Sequence, residues 1–259
     1  STLFPYTTLF RSGRRFSLSN KTVLVTGASS GIGRAISIRC SEMGANIILT
    51  ARNQSRLQET LYQMSGKNHI ELAADLTDKA SMDNLVEQLP DLDGIVHCAG
   101  VNHRIVTKLI EPADIEQTIS PNLVAPILLQ TALLKAKKIK KEASIVFIAS
   151  RAAYAPSVGN ALYSASKGAM ISYAKVLALE LAPRQIRVNC ICPAMVLTNM
   201  ISNIGFNHDK LNEAQQKYPL KRYGTPDDIA YLSIYLLSSK SSWMTGSCID
   251  ITGGGEGVL

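Results

Sequence analysis

Three side chains in the middle of this 259-residue sequence are placed to move a proton. Tyr163 and Lys167 stand four apart in a stretch, 161–182, that reads as helix, so their side chains share one face. A free phenol, with a pKa near 10, is a poor acid or base at neutrality. A cation about 4 Å away contributes on the order of 4 kcal/mol at an effective dielectric of about 20. That is roughly three pKa units, enough to bring the phenol towards the range where acid–base catalysis works. Ser150 follows the apolar run 144–149, and its hydroxyl can hold a carbonyl oxygen while Tyr163 supplies the proton. A tyrosine–lysine pair at this spacing also occurs on many solvated helices; the serine and a glycine turn upstream give this one its meaning. That turn, Thr26-Gly27-Ala28-Ser29-Ser30-Gly31-Ile32-Gly33, leaves a β-branched run and opens an amphipathic stretch. Glycine permits positive φ and leaves no side chain between backbone and ligand. A helix N-terminus then offers free N–H groups and partial positive charge to a pyrophosphate.

The elements that must position these residues alternate along the chain. Short apolar runs at 22–26, 46–50, 69–74, 94–99, 144–149, 186–191 and 248–252 read as strands covered on both faces. Helical patterns lie between them at 31–43, 53–64, 78–89, 112–138, 161–182 and 226–238. Such alternation predicts an α/β fold with right-handed crossovers, a doubly wound parallel sheet of about seven strands with helices on both faces. A hydrophobic content of 46% excludes disorder, and no apolar run is long enough to predict a membrane helix. The net charge of +7 suits an anionic ligand, with no nucleic-acid recognition motif behind it. Five cysteines, an odd set in mostly apolar stretches, predict structural thiols in a cytoplasmic protein, with no metal site. The opening segment LFPYTTLFRS has no strand or helix period and resembles the conceptual translation of a sequencing adapter. Residues 1–12 are therefore expected to be a non-native extension, and 13–259 one domain.

The T-G-x-x-x-G-x-G turn, Ser150 and the Y-x-x-x-K pair, in this order, resemble the short-chain dehydrogenase/reductase family over about residues 18–255. The resemblance implies a Rossmann fold and a catalytic set of Asn122, Ser150, Tyr163 and Lys167. It also implies a cofactor site that begins at Gly27, Ser29, Ser30, Gly31, Ile32 and Gly33. Arg52, Asp75, Leu76, Ala99 and Gly100 would continue that site, and Tyr163, Lys167, Pro193, Val196 and Thr198 would complete it. Thr198 would contact the nicotinamide carboxamide, and Asn122, in Asn122-Leu123-Val124-Ala125, would bend its helix and hold a water near the lysine. A satisfied core amide is the plainer reading of Asn122. Two departures stand out. His97-Cys98-Ala99-Gly100 replaces the family's N-N-A-G, so hydrogen bonds made by those asparagines must be met otherwise, and Pro193-Ala194 replaces P-G. His97 and His103 lack a partner pattern and read as structural.

A carboxylate at the tip of the second strand would accept the ribose hydroxyls of NAD. Ala51 stands there instead, followed by Arg52, which suits a 2′-phosphate, although it could simply solvate a loop. NADP(H) is the expected cofactor, with NAD(H) as the alternative. The segment 195–222 reads as a substrate lid with Met195, Val196, Leu197, Met200, Ile201, Ile204 and Phe206 as an apolar lining. This lining favours an acyl or apolar ketone over a bare sugar. Within the family the resemblance is greatest to the 3-oxoacyl-[acyl-carrier-protein] reductases, and it implies an NADPH-dependent carbonyl reductase acting on a 3-oxoacyl thioester, free or carrier-tethered, in fatty acid biosynthesis. The alternatives are a sugar or polyol dehydrogenase, a nucleotide-sugar epimerase or dehydratase, and a non-catalytic NADP-binding protein. The resemblance further implies a homotetramer built through 112–138 and 161–182. A basic run at Lys135, Lys137, Lys138, Lys140 and Lys141 either complements a helix terminus or, with Arg184, receives an acidic carrier protein.

Overall fold

The computed structural model describes residues 16–198 and 213–255. The expected extension 1–12 and the lid positions Met200, Ile201, Ile204 and Phe206 lie outside the described residues. In the first half, β1 (Thr22–Thr26), β2 (Asn46–Ala51), β3 (Ile70–Ala73) and β4 (Leu92–His97) alternate with α1 (Gly31–Glu42), α2 (Gln54–Tyr62) and α3 (Lys79–Gln88). The second half contains α4 (Pro112–Ile119), α5 (Ala125–Lys135), β5 (Ile139–Ile148), α6 (Ala161–Leu181), β6 (Arg187–Pro193), α7 (Pro226–Leu237) and β7 (Cys248–Ile251). The strands form one parallel sheet in the order β3-β2-β1-β4-β5-β6-β7. The order reverses between β1 and β4, and open α/β sheets place their ligand in the crevice beyond that point.

Both faces of the sheet are buried, which explains the continuous apolar runs. Leu24, Ile95, Ile145 and Phe147 pack against α3, α5 and α6 on one side. Val23, Val25, Val96 and Val146 pack against α1, α2 and α7 on the other. The helix starts differ in a way that matters. Asn53 caps α2, Asp78 caps α3, and Thr225 forms a capping box with Asp228 on α7. Helix α1 has neither a side-chain cap nor an acidic residue in its first turn, which leaves its N–H groups to a ligand.

Three expected boundaries are corrected. The helical stretch 112–138 is not one helix: α4 and α5 are joined by a π-helical turn over Ser120–Val124. Pro121 and Pro126 lack the N–H groups that a regular ladder would use, so the ladder resets there. Helix α5 stops at Lys135, because Lys137 adopts a left-handed φ of 56°. Strand β5 begins at Ile139, five residues before the expected start, and Glu142 (φ 64°) marks a bulge where its register against β4 shifts. Strand β4 runs two residues earlier than expected at each end, closing at His97. The early start of β5 carries the basic run to the end of the sheet opposite the crevice. There Lys140 pairs with Asp93 at 2.9 Å, and Lys138 donates to the Leu89 carbonyl. No helix among the described residues is long and apolar enough to cross a membrane, and those residues hold no metal-ligand cluster.

Candidate active site

A cleft of about 800 Å³ opens at the carboxyl ends of the strands. Every residue expected to hold the cofactor lines it, as do Ser150, Tyr163 and Lys167; Asn122 is not part of the lining but packs against Gly100, which is.

The glycine turn forms one end. Gly27 (φ 67°) and Gly31 (φ 52°) adopt backbone conformations that other residues rarely take. Gly33 is helical, but a Cβ there would sit 2.3 Å from the Gly27 carbonyl oxygen. Arg34 braces the turn, donating 2.7 Å to the Ser29 carbonyl while pairing with Glu59 on α2 at 2.9 Å. Thr26 holds the segment that follows β4: its Oγ1 accepts from the Cys98 and Ala99 N–H groups, both at 3.0 Å. His97 turns away into the core, bonded to Gln130 at 3.0 Å and stacked on Phe147. Burial pushes its pKa down to about 4, so it is a neutral core residue, as expected. His103 pairs with Asp114 at 3.1 Å on the surface.

At the tip of β2, Ala51, Arg52 and Asn53 line the cleft beside Asp75 and Leu76, which follow β3. Asp75 accepts from both the hydroxyl and the N–H of Thr77, which hold its carboxyl below the usual range. Arg56, on the first turn of α2, lines the same end. The sequence reading missed it, although a second arginine four residues after Arg52, at the start of a predicted helix, was the available signal. Pro193, the last residue of β6, and Val196 and Thr198 beyond it form the opposite wall. The segment 195–197 is fixed by two backbone bonds to Gly224, at 2.9 and 3.0 Å.

The residues expected to be catalytic sit between these walls. Ser150 lies two residues beyond β5 and caps the short turn that follows, accepting from Ala152 N–H at 3.1 Å. The Tyr163 hydroxyl is hydrogen-bonded to Ser150. Lys167 is buried, donates 2.9 Å to the Ile148 carbonyl, and holds its Nζ 5.7 Å from the centre of the Tyr163 ring. Asn122 is fully buried in the π-helical turn. Its amide bonds both the N–H of Val101 (2.7 Å) and its carbonyl (2.9 Å), as a neighbouring strand would, and reaches Ser166 at 3.2 Å. Asn122 is thus a satisfied core amide, and its bonds tie the loop after β4 to α6.

One electrostatic expectation is corrected. The sequence reading has Lys167 pulling the phenol towards neutrality. In the structure burial pushes Tyr163 above its ordinary value, while the bond to Ser150 pulls the other way. The ammonium spends a donor on Ile148, and burial brings its own pKa down to about 8. Tyr163 is thus a protonated phenol at neutrality, the state a proton donor requires, and the group that titrates nearby is Lys167. Lys167 is charged below about pH 8 and loses its charge above it. Any turnover that uses this ammonium should therefore lose kcat/KM as pH rises through about 8. A profile flat from pH 6 to about 10 would remove the ammonium from the rate-determining machinery.

Among the other polar residues of the cleft that sequence reasoning missed are Asn102, Arg104 and Asn160. They lie in the loops after β4 and before α6. They carry no motif of their own, and only the fold brings them beside Tyr163.

Comparison with known proteins bears on the family and the fold. A family model described as enoyl-(acyl carrier protein) reductase matches residues 27–256. The 3-oxoacyl-[acyl-carrier-protein] reductase FabG of Rickettsia prowazekii is 34% identical over 242 residues, covering 92% of this chain and 97% of its own. A provisionally assigned gluconate dehydrogenase from Agrobacterium tumefaciens has a TM-score of 0.85 at 28% identity, covering 94% of this chain and 99% of its own. A provisionally assigned NAD(P)-dependent gluconate 5-dehydrogenase from Beutenbergia cavernae, solved with NADP at low occupancy, has a TM-score of 0.83 at 29% identity. It covers 92% of this chain and 98% of its own.

Proposed function

The chain belongs to the short-chain dehydrogenase/reductase family and is an oxidoreductase, and from that premise we propose that it uses NADP(H) to interconvert a ketone and a secondary alcohol. The observation that carries this reading is the convergence of Ser150, Tyr163 and Lys167 on one wall of a cleft whose other end is an uncapped helix N-terminus behind a glycine turn. NADPH, when bound, supplies the hydride. Ser150 and Tyr163 hold the ketone oxygen, and Tyr163 gives the proton as negative charge develops there. Lys167 places a positive charge beside the phenol and stabilises the phenolate that remains. Asn122 holds Val101, and with it the loop that closes the cleft.

The preference for NADP(H) rests on Ala51, Arg52 and Arg56, which leave the tip of β2 without a carboxylate and with two guanidinium groups at the cleft. Ala51→Asp combined with Arg52→Ala should move preference towards NADH. Losing a charge-assisted phosphate contact costs about 1.5–3 kcal/mol, or roughly 10- to 150-fold in NADPH affinity. Wild-type protein that already favours NADH would contradict this assignment.

The FabG relatives support a 3-oxoacyl thioester as substrate, free or carrier-tethered. A second reading, a sugar acid or polyol, is favoured by a specific observation: the described wall beyond Tyr163 offers two amides and a guanidinium. Self-association fits the exposed Val124 and Leu128 on one side and Val176 and Leu179 on α6. Following NADPH consumption with 3-oxoacyl thioesters, small ketones and keto-sugars tests the proposal. Turnover of at least one class is expected, and none for all three would contradict it.

A further inference from the structure

The wall of the cleft beyond Tyr163 is built from two loops that grip one another. Ile105, after β4, donates 2.8 Å to the Gly159 carbonyl, just before α6, and forms a parallel bridge with Asn160. Arg104 adds a bond from Nη2 to the Val158 carbonyl at 2.8 Å. Through Asn122 and Val101 the first of these loops is also tied to the π-helical turn. The loop backbone that carries Arg104 is held on both sides, and the guanidinium itself is held by one bond, which uses one of its five N–H groups.

No carboxylate among the described residues pairs with Arg104. It shares this with Arg52 and Arg56 at the cofactor end of the cleft, and with Arg184 and Arg187, and differs from Arg34, Arg39, Arg151 and Arg222, each of which has an acidic partner. Its neighbours along the cleft are incomplete in the complementary sense. The Oδ1 atoms of Asn102 and Asn160 are both buried and both lack a hydrogen-bond partner. Asn160 is only 2% exposed, and its Nδ2 already donates to Ser157 at 3.1 Å. Buried amide oxygens without donors are uncommon in folded proteins, and a ligand that brings hydroxyl groups completes them. An arginine fixed beside a cavity, with donors to spare, fits a carboxylate through two parallel bonds.

We propose that Arg104 is the specificity-determining residue of this cleft, binding a carboxylate on the substrate, and that the substrate is a small hydroxy or oxo acid whose further hydroxyls donate to Asn102 and Asn160. This rests on the reading of Tyr163 as the proton donor, and it narrows the carbonyl compound to one that carries its own anionic handle.

Matched pairs that differ only in that handle make the test: 3-oxobutanoate against its ethyl ester with NADPH, and gluconate against glucitol with NADP⁺. For wild-type protein the acid is expected to have the higher kcat/KM in at least one pair. Arg104→Ala should raise KM for that acid about 10- to 150-fold and collapse the acid-to-neutral ratio. Arg104→Lys, which retains the charge without the fork, should restore part of that ratio. Fluorescence titration with NADPH should give the same Kd for all three proteins, because the handle lies away from the cofactor end. An acid-to-neutral ratio unchanged by Arg104→Ala would overturn the proposal, as would a higher kcat/KM for the neutral member of both pairs. A strong preference for 3-oxobutanoyl thioester that is indifferent to Arg104 would overturn it too. Should none of these compounds turn over, it is the reductase reading that fails. Calorimetric titration of gluconate into NADP⁺-loaded protein then decides Arg104 separately. Heat of binding that is lost in Arg104→Ala supports the carboxylate site, and equal heats or none in both proteins overturn it.

Discussion

Tyr163→Phe is expected to abolish ketone reduction while leaving NADPH affinity within a few-fold of wild type. General acid catalysis contributes about 10²- to 10⁴-fold, and the phenol is the group on the cleft wall that is both protonated at neutrality and bonded to Ser150. Removing one oxygen keeps the ring, its packing and the position of Lys167. The loss should therefore fall on kcat, at constant thermal stability. Lys167→Ala should behave differently, because it empties a buried site and removes the donor to Ile148. It should lower stability together with turnover. Substantial reduction by Tyr163→Phe, measured as NADPH consumed per enzyme, would take Tyr163 out of the mechanism.

Gly33→Ala should be the most damaging change at the cofactor end. The added methyl would meet backbone on two atoms, the Gly27 oxygen at 2.3 Å and the Gly27 carbonyl carbon at 2.7 Å. Neither can rotate aside as a side chain could, so α1 must move away from β1 or the turn must open. Overpacking of this kind costs about 1–3 kcal/mol or more. Either movement also takes the uncapped N–H groups out of register with a pyrophosphate, so NADPH affinity should fall at least about 100-fold, or ~2.7 kcal/mol. A thermal melt and a fluorescence titration read the two effects. A variant that binds NADPH normally would show that the close approach of Gly33 to Gly27 does not shape the phosphate site.

The sheet and most of the site were legible in the sequence for identifiable reasons. Strands buried on both faces leave continuous apolar runs, so β1, β2, β6 and β7 were located within one or two residues. The glycine turn was legible because its chemistry is local: a strand end, two positive φ angles and a helix start occupy consecutive positions. Tyr163 and Lys167 were legible because helical spacing puts them on one face. What the sequence hid was set by tertiary contacts. The π-helical turn looks like continuous helix until Asn122 is seen bonding Val101 from twenty-one residues away. Strand β5 begins early through a bulge at Glu142, in a lysine-rich stretch that no strand pattern marks. The direction of the Tyr163 shift depends on burial, which a spacing argument omits. Arg104 and Asn160 are fifty-six positions apart, and only the pairing of their loops puts them on one wall.

The central claim is that this cleft passes a hydride from a nicotinamide to a carbonyl carbon while Tyr163 supplies the proton. NADPH deuterated at the transferable position of the nicotinamide ring tests it most directly, with purified protein, a ketone that is turned over, and the alcohol product analysed by mass spectrometry. The account predicts one deuterium on the carbinol carbon for each NADPH consumed, and that Tyr163→Phe makes no such product. An alcohol carrying no deuterium, or deuterated product formed equally by Tyr163→Phe, would contradict it.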